Sequence, residues 1–297
     1  VSQKIIKIAT RRSELALKQA QIAISTLQPI FGDGFRFEIL KIVTTGDKIQ
    51  DRSLQDIGGK ALFTKEIEDA LLDGSADIAV HSMKDVTAVF PAALTFPAFF
   101  PRANPQDAIV SNVSNIMHLP HGAIIGTSSS RRSLFLKALR EDFNIIPLRG
   151  NVPTRITALR EGHVDAIVLA AAGLERLGID KALYHSLPVD SFIPAACQGV
   201  IGLQTRVNWQ YNYLVEQSSH LETTITTECE RAFLQCFNAD CKTPIAAYAR
   251  IQAKELYFTG MYSNLLGNTT IKSGSTNLDD GEALAIKIAN EIKRCIL

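Results

Sequence analysis

The chain writes the order strand, helix, strand, helix, strand twice, and that duplication limits what it can fold into more than any other feature. In the first half "KIIKIAT" reads as a strand. A helix follows from about Arg11, with Leu17, Ala20, Ile24 and Leu27 on one face. "FRFEILKIVTTGD" is a second strand, "TKEIEDALLDGS" a helix stopped by Gly74, and "ADIAV" a short buried strand running into "HSMKD". The second half repeats the plan through "GAIIGTSSS", "RRSLFLKALRE", "NIIPLRG", "TRITALREG", "VDAIVLA" and "AAGLERLG". Two echoes tie the halves together. "RRS" at 11–13 recurs at 131–133, and Gly74, Asp77 and Val80 find counterparts in Gly162, Asp165 and Val168.

This alternation predicts an α/β protein with two doubly wound lobes, mostly parallel sheets and helices on both faces. The first crossover between lobes falls near "FFPRANPQD" and the return in "SFIPAACQGVIGLQTR". From about Leu221 the pattern changes. "TTITTECERAFLQCF" predicts a helix with a threonine cap, "IAAYARIQ" and "LYFTGMYS" a hairpin, "TTIKSGS" a third strand and "GEALAIKIANEIKRC" a closing helix. The expected units are 1–100 with about 198–220, then 101–197, then a small α+β domain over 221–297. "KIQDRSLQDIGGK" is expected to be a mobile surface loop.

Ligands on open α/β sheets bind beyond the carboxyl ends of the strands, and this chain fills those ends with cations and hydroxyls. Arg11, Arg12 and Ser13 follow the first strand, and His81, Ser82, Lys84 and Asp85 the third. Ser128, Ser129, Arg131, Arg132, Arg149, Asn151 and Arg155 occupy the matching places in the second half. Helix starts add free N–H groups, so the site is built for anions. Neither Gly-x-x-x-x-Gly-Lys nor Gly-x-Gly-x-x-Gly is present, which argues against a nucleotide. Spread guanidiniums suit a ligand with several separated carboxylates. Asp85 is read as the one carboxylate in this ring. It serves either as an ion-pair partner or in a reaction that develops positive charge.

Net charge is +1, so no overall field draws the chain to nucleic acid or a membrane surface. No apolar run reaches the roughly 18 residues of a spanning helix, and the first residues lack a signal-peptide core. Cysteines at 197, 229, 236, 241 and 295 are odd in number and form no Cys-x-x-Cys pair, which disfavours a disulfide framework or a metal site. A cytoplasmic protein with room for one reactive thiol is expected.

"IATRRSELALKQAQ", "TTGD", "GGKALFTKEIEDALLDGSADIAVHSMKDV", "GTSSSRRS", "PLRGNVPTR", "DAIVLAAAGLERLG" and "PAACQGVIGL" run in order along the chain. Together they resemble the porphobilinogen deaminase, or hydroxymethylbilane synthase, family, and "FNADCKTPIA" resembles its cysteine loop. The resemblance implies two periplasmic-binding-protein-like lobes and a small C-terminal domain. It implies a transferase of porphyrin and haem biosynthesis that joins four porphobilinogens head to tail, each losing ammonia, on a dipyrromethane held by a thioether to Cys241. It assigns catalysis to Asp85, which stabilises a cationic intermediate. Cofactor binding falls to Lys84, Ser129, Arg131, Arg132 and Arg155, and substrate binding to Arg11, Ser13, Lys60, Arg149, Arg176 and Gln198. Gln198 reads equally well as hinge packing. The implied partner is porphobilinogen alone, with a monomer, no nucleic acid and no metal.

The sequence departs from the family pattern in places. Ala239 and Asp240 replace two glycines before Cys241, Thr87 stands in place of a proline, Pro153 enters the "NVPTR" stretch, and Cys197 occupies a usual glycine position. The rival readings are a non-enzymatic two-lobed protein that closes on an organic anion, and a homologue without activity.

Overall fold

The computed structural model describes residues 3–48, 61–113, 115–239, 243–264 and 267–296. Lys60, the loop expected around it and Cys241 lie outside the described residues.

The first lobe begins with β1 (Lys4–Arg11), α1 (Glu14–Phe31), β2 (Phe35–Ile42), the single turn α2 (Thr45–Lys48), α3 (Lys65–Leu72) and β3 (Ile78–Ser82). β3 leads into a 3-10 turn at Met83–Asp85, then β4 (Leu94–Phe99). The second lobe holds β5 (Asp107–Ser111), β6 (Ile124–Gly126), α4 (Ser130–Leu139), β7 (Asn144–Ile146), α5 (Val152–Arg160), β8 (Ala166–Ala170), α6 (Ala171–Arg176) and β9 (Tyr184–Ser186). The chain then returns through β10 (Ile201–Arg206) and α7 (Asn212–Glu216). It closes with α8 (Leu221–Cys236), β11 (Ile245–Gln252), β12 (Glu255–Ser263), β13 (Thr269–Thr276) and α9 (Gly281–Ile296).

The two lobe sheets have the same strand pattern, β2-β1-β3-β10-β4 and β7-β6-β8-β5-β9. In each, three consecutive strands are parallel, but the fourth is antiparallel to both its neighbours. The sheets are therefore mixed: four of the five strands in each share one direction, as expected, and the one inserted strand opposes them. β10 and β5 each enter from the other lobe, so they run from the cleft edge outward, against the strands that end there.

One echo has a structural cause. Gly74 and Gly162 take left-handed φ values of 80° and 75°, which end α3 and α5 where a side chain would strain the backbone. Asp77 then accepts the Lys7 N–H at 2.9 Å, and Asp165 accepts the Ile124 N–H at 2.7 Å, so the carboxylates tie the start of β3 to β1 and the start of β8 to β6. The "RRS" echo is not equivalent. Ser13 caps α1 from outside, whereas Arg131, Arg132 and Ser133 lie within α4, whose cap is Ser129. The cap of α8 is likewise His220, not a threonine; its ring nitrogen accepts the Thr223 N–H at 3.3 Å.

Each lobe buries its own apolar face. Ile6, Ile8, Leu27, Ile78 and Leu203 fill the first, and Ile109, Ile125, Leu136 and Phe143 the second. A further core joins the first lobe and the crossovers to the C-terminal unit, setting Met83, Val86, Phe99 and Cys197 against Phe233, Phe258 and Ile288. Burial of each such Ile, Leu or Phe is worth about 1.5–3 kcal/mol. The 3-10 turn that carries Asp85 is thus packed from behind by the third unit. Among the described residues no helix is long and apolar enough to cross a membrane.

Candidate active site

A cleft of about 480 Å³ opens where the strand ends of the two lobes face each other. Arg11, Arg12, Ser13, Lys84 and Asp85 line it from the first lobe, and Arg132, Arg149, Arg155 and Arg176 from the second. A second hollow of about 210 Å³ continues beneath it, bounded by Lys84, Asp85, Ser129, Arg131, Arg132 and Gln198. Its far wall is Leu234, Ala239, Thr243 and Ile245 of the C-terminal unit. The fold therefore gathers every described residue assigned to catalysis or binding into one continuous space, whereas His81, also expected at a strand end, is buried against Gln204 instead.

Local geometry explains why. Ser13 and Ser129 are the caps of α1 and α4, each accepting a backbone N–H of its first turn at 3.3 and 3.4 Å. That use of the oxygen leaves the hydroxyl proton to donate toward an anion at a helix start. Asn151 caps α5 in the same way, and Pro153 sits in its first turn, where its missing N–H costs nothing. Arg155 is anchored by its Nε to the Gly150 carbonyl at 2.9 Å.

Buried charge organises the floor. Asp107, at the start of β5, is fully buried; it receives Arg131 Nη1 at 2.7 Å and Arg132 Nη2 at 2.7 Å. Burial opposes its ionisation, but the two guanidiniums outweigh it and hold the carboxyl well below the usual range. Gln198 is also buried, donating to Pro105 O at 2.8 Å and Asp107 at 3.2 Å, while its oxygen accepts from Lys84 Nζ at 3.4 Å. Gln198 thus packs the crossover and faces the lower hollow at once.

Three further cleft cations are destabilised as cations. Burial, with Arg132 and Arg131 adding to it, pushes the Lys84 ammonium down to about 8; Asp85 and Asp107 pull the other way. Burial, then Arg132 and Arg149, pushes Arg155 to about 10, and burial alone dominates in Arg176, also at about 10. Arg176 donates to Gly199 O at 2.7 Å, so it ties the second lobe to the return crossover as well as facing the cleft. A cluster of this kind gains from anions that replace the missing negative charge.

Asp85 is not the only carboxylate present. Arg11 binds Asp47 at 2.5 Å and lies 3.8 Å from Asp85, with its guanidinium over the Phe63 ring at 4.4 Å. The tighter contact to Asp47 leaves Asp85 loosely paired, with its side chain a third exposed to the cleft. Sequence reasoning missed Asp47 and Asp107, although "TTGD" and "PQDAIV" contain them. Their role depends on partners 36 and 25 residues away.

The crossovers meet at a second buried ion pair. Arg102 donates to Glu230 at 2.6 Å and to Gln198 O at 2.9 Å, and Glu230 also takes the backbone N–H groups of Cys197 and of Ala249, the latter at 2.7 Å. Cys197 holds φ 59° and Gly199 φ 91°, and a Cβ on Gly199 would come within 2.4 Å of the Ala103 carbonyl. The two strands between lobes are thus bound to each other and to α8.

The lower hollow tests whether a covalent pyrrole primer fits. Its walls offer Lys84, Arg131, Arg132 and the Ser129 hydroxyl to carboxylates, and it ends at Ala239 and Thr243, the described residues that flank 240–242. A polyanion that enters the hollow from the Ala239 and Thr243 end meets these cations.

Comparison with known proteins agrees with this chemistry. A family model described as porphobilinogen deaminase, dipyromethane cofactor binding domain, matches residues 6–211, and one described as porphobilinogen deaminase, C-terminal domain, matches 224–294. Porphobilinogen deaminases of Geotalea uraniireducens and Geobacter sulfurreducens are 41% and 42% identical to the chain, each match covering 97% of it and 91% of the relative. Among solved structures, the periplasmic VFT2 domain of Bordetella pertussis BvgS is similar at a TM-score of 0.43 and 16% identity, over 79% of this chain and 93% of that one.

Proposed function

The chain belongs to the porphobilinogen deaminase family, and on that premise we propose which of its residues carry the reaction. It acts as a transferase that condenses four porphobilinogen molecules head to tail on a dipyrromethane cofactor, after which water cleaves the tetrapyrrole from the primer and supplies the hydroxyl of hydroxymethylbilane. Each condensation breaks the substrate's carbon–nitrogen bond and releases ammonia. A carbon–carbon bond forms to the terminal pyrrole, whose ring proton leaves. When bound, the dipyrromethane supplies that terminal pyrrole for the first joining.

Cys241 is the residue proposed to hold the cofactor. Lys84, Ser129, Arg131, Arg132 and Arg155 are proposed to bind its acetate and propionate groups. Arg11, Ser13, Arg149 and Arg176 face the upper cleft, where they would hold the incoming substrate, and Gln198 lies at the boundary between the two spaces. Lys60 keeps a proposed substrate role. Asp85 is proposed to stabilise the positive charge left on the substrate when ammonia departs and to accept the ring proton afterwards. The observation that carries this reading is the position of Asp85. It is a carboxylate about one-third exposed between two cation-lined spaces, one of which ends at Ala239 and Thr243.

The same proposal divides the chain into 1–100 with about 198–220, 101–197 and 221–297, supported by its three sheets. It also takes the protein to act as a cytoplasmic monomer, since one chain supplies both cleft walls and the cysteine-bearing unit. Incubation with porphobilinogen tests the reading: ammonia should appear together with linear tetrapyrrole. Substrate binding without ammonia release would favour the binding-protein alternative.

A further inference from the structure

Arg231 lies in the middle of α8, only 7% exposed, and lines neither hollow. Its Nη2 donates to the carbonyls of Thr87 and Ala88, both at 3.1 Å. One helical turn later, Gln235 Nε2 reaches the same Ala88 carbonyl at 3.4 Å. The guanidinium is flanked by the Phe90 ring at 5.3 Å and the Phe96 ring at 5.9 Å, while its Nη1 is buried without a hydrogen-bond partner among the described residues. Burying a cation this incompletely satisfied costs free energy that an apolar side chain would avoid. The packing of α8 alone does not require it.

What the guanidinium grips is the segment that follows Asp85. The 3-10 turn Met83–Asp85 is closed by Val86 N–H to Met83 O at 3.1 Å, and the next two carbonyls are those Arg231 holds. Thr87 bends the same segment further by bonding Val89 O through its hydroxyl at 2.6 Å. The strand that leads into the turn is fixed from the other side. His81 meets Gln204 at 2.9 Å, and Gln204 meets Glu68 at 3.2 Å, whose charge also attracts Arg231. The Asp85 turn is therefore held on both flanks, and its downstream flank is held by a helix of another unit.

We propose that Arg231 is a positioning residue for Asp85, which sets the carboxylate's place in the cleft by clamping the Thr87 and Ala88 carbonyls to α8. The inference rests on the catalytic assignment of Asp85. It gives the C-terminal unit a part in the chemistry beyond carrying a thiol. α8 ends at Cys236, a few residues before Cys241 in sequence, so the helix that grips the catalytic turn also leads toward the segment of the proposed anchor. Reacting groups displaced by about 1 Å lose rates of order 100-fold, so a clamp of this kind acts on turnover and not on affinity.

The test uses holoenzyme carrying Arg231→Met or Arg231→Lys, with kcat and KM measured for porphobilinogen and cofactor content checked by intact mass. Arg231→Met should keep the cofactor mass and a KM within about twofold while kcat falls by about 10-fold or more; Arg231→Lys, which retains a donor, should recover part of the loss. In an Asp85→Glu background, where the carboxylate is already displaced, Arg231→Met should cost less than about twofold. A parent-like kcat, a loss carried by KM, or an equal loss in the Asp85→Glu background would overturn the proposal. If Arg231→Met does not accumulate, Gln235→Leu decides: a fall in kcat of about threefold at constant KM supports the clamp, and unchanged kcat refutes it. Parent-like turnover in Asp85→Ala would instead remove the assignment on which the inference rests, so the two failures are distinguishable.

Discussion

Arg132 lies 2.7 Å from Asp107, and the fully buried carboxylate takes Arg131 at the same distance on its other oxygen. One acid thus neutralises and aims two of the cations that face the lower hollow. Asp107→Asn should destabilise the fold by about 3–5 kcal/mol in denaturant unfolding, because it leaves buried guanidiniums uncompensated, and should yield protein lacking the cofactor mass. The folded carboxyl is held below its unfolded value, so its contribution is present above the usual carboxylate range and is lost on acidification. The Asn variant should lack that part of the acid sensitivity.

Asp85→Ala should fold like the parent and bind substrate, because the side chain is partly exposed and only loosely paired with Arg11 at 3.8 Å. Turnover should fall by about 100-fold or more, the scale expected when an electrostatic stabiliser of developing charge is removed. Ammonia release under saturating substrate measures it, and near-parent rates would refute the assigned role.

Lys84 titrates near 8 because of burial and its arginine neighbours, so it is cationic below that pH and neutral above it. Loading of apo-protein with its pyrrole primer should slow as pH rises through about 8, followed by intact mass. Lys84→Arg keeps its charge throughout and should flatten that profile. The sign for stability is opposite. Between about 8 and 10.5 the unfolded chain holds this proton more tightly, so the penalty of burying Lys84 fades as pH climbs.

Cys197 is buried, and burial followed by Glu230 pushes its thiol up to about 12. Iodoacetamide at pH 8 should therefore spare it in the folded protein, as should buried Cys229, whose thiol is raised in the same way. Its φ of 59° favours glycine. Cys197→Gly should lie within about 1 kcal/mol of the parent, relief of left-handed strain offsetting lost packing. Cys197→Val, β-branched at positive φ, should cost more than about 2 kcal/mol by thermal unfolding.

Much of this arrangement is legible in the sequence because its signals are local. β1, β3, β6 and β8 are short apolar runs, the helices behind them have periodic apolar faces, and the arginines at strand ends need no partner to be noticed. β4 and β5 are absent from the elements the pattern predicts, and only Phe99 and Asp107, their facing ends, fall in the stretch expected as the crossover. Pro97 within β4 argues for a loop unless the strand lies at a sheet edge, and β4 does lie at the edge. Running direction was hidden too, since nothing local in "IGLQTR" says that β10 enters from the far lobe. The buried acids were missed for a related reason. Asp107, Glu230 and Glu68 gain their meaning from residues 25 to 136 positions away, brought together only by the lobe crossovers and α8.

The most direct test of the account is the intact mass of the purified protein before and after porphobilinogen is added. The expected spectrum shows an excess equal to two linked pyrroles, absent from Cys241→Ser, and a ladder of heavier species, each one pyrrole unit apart, once substrate is present. A protein at its bare polypeptide mass that porphobilinogen leaves unchanged would contradict it.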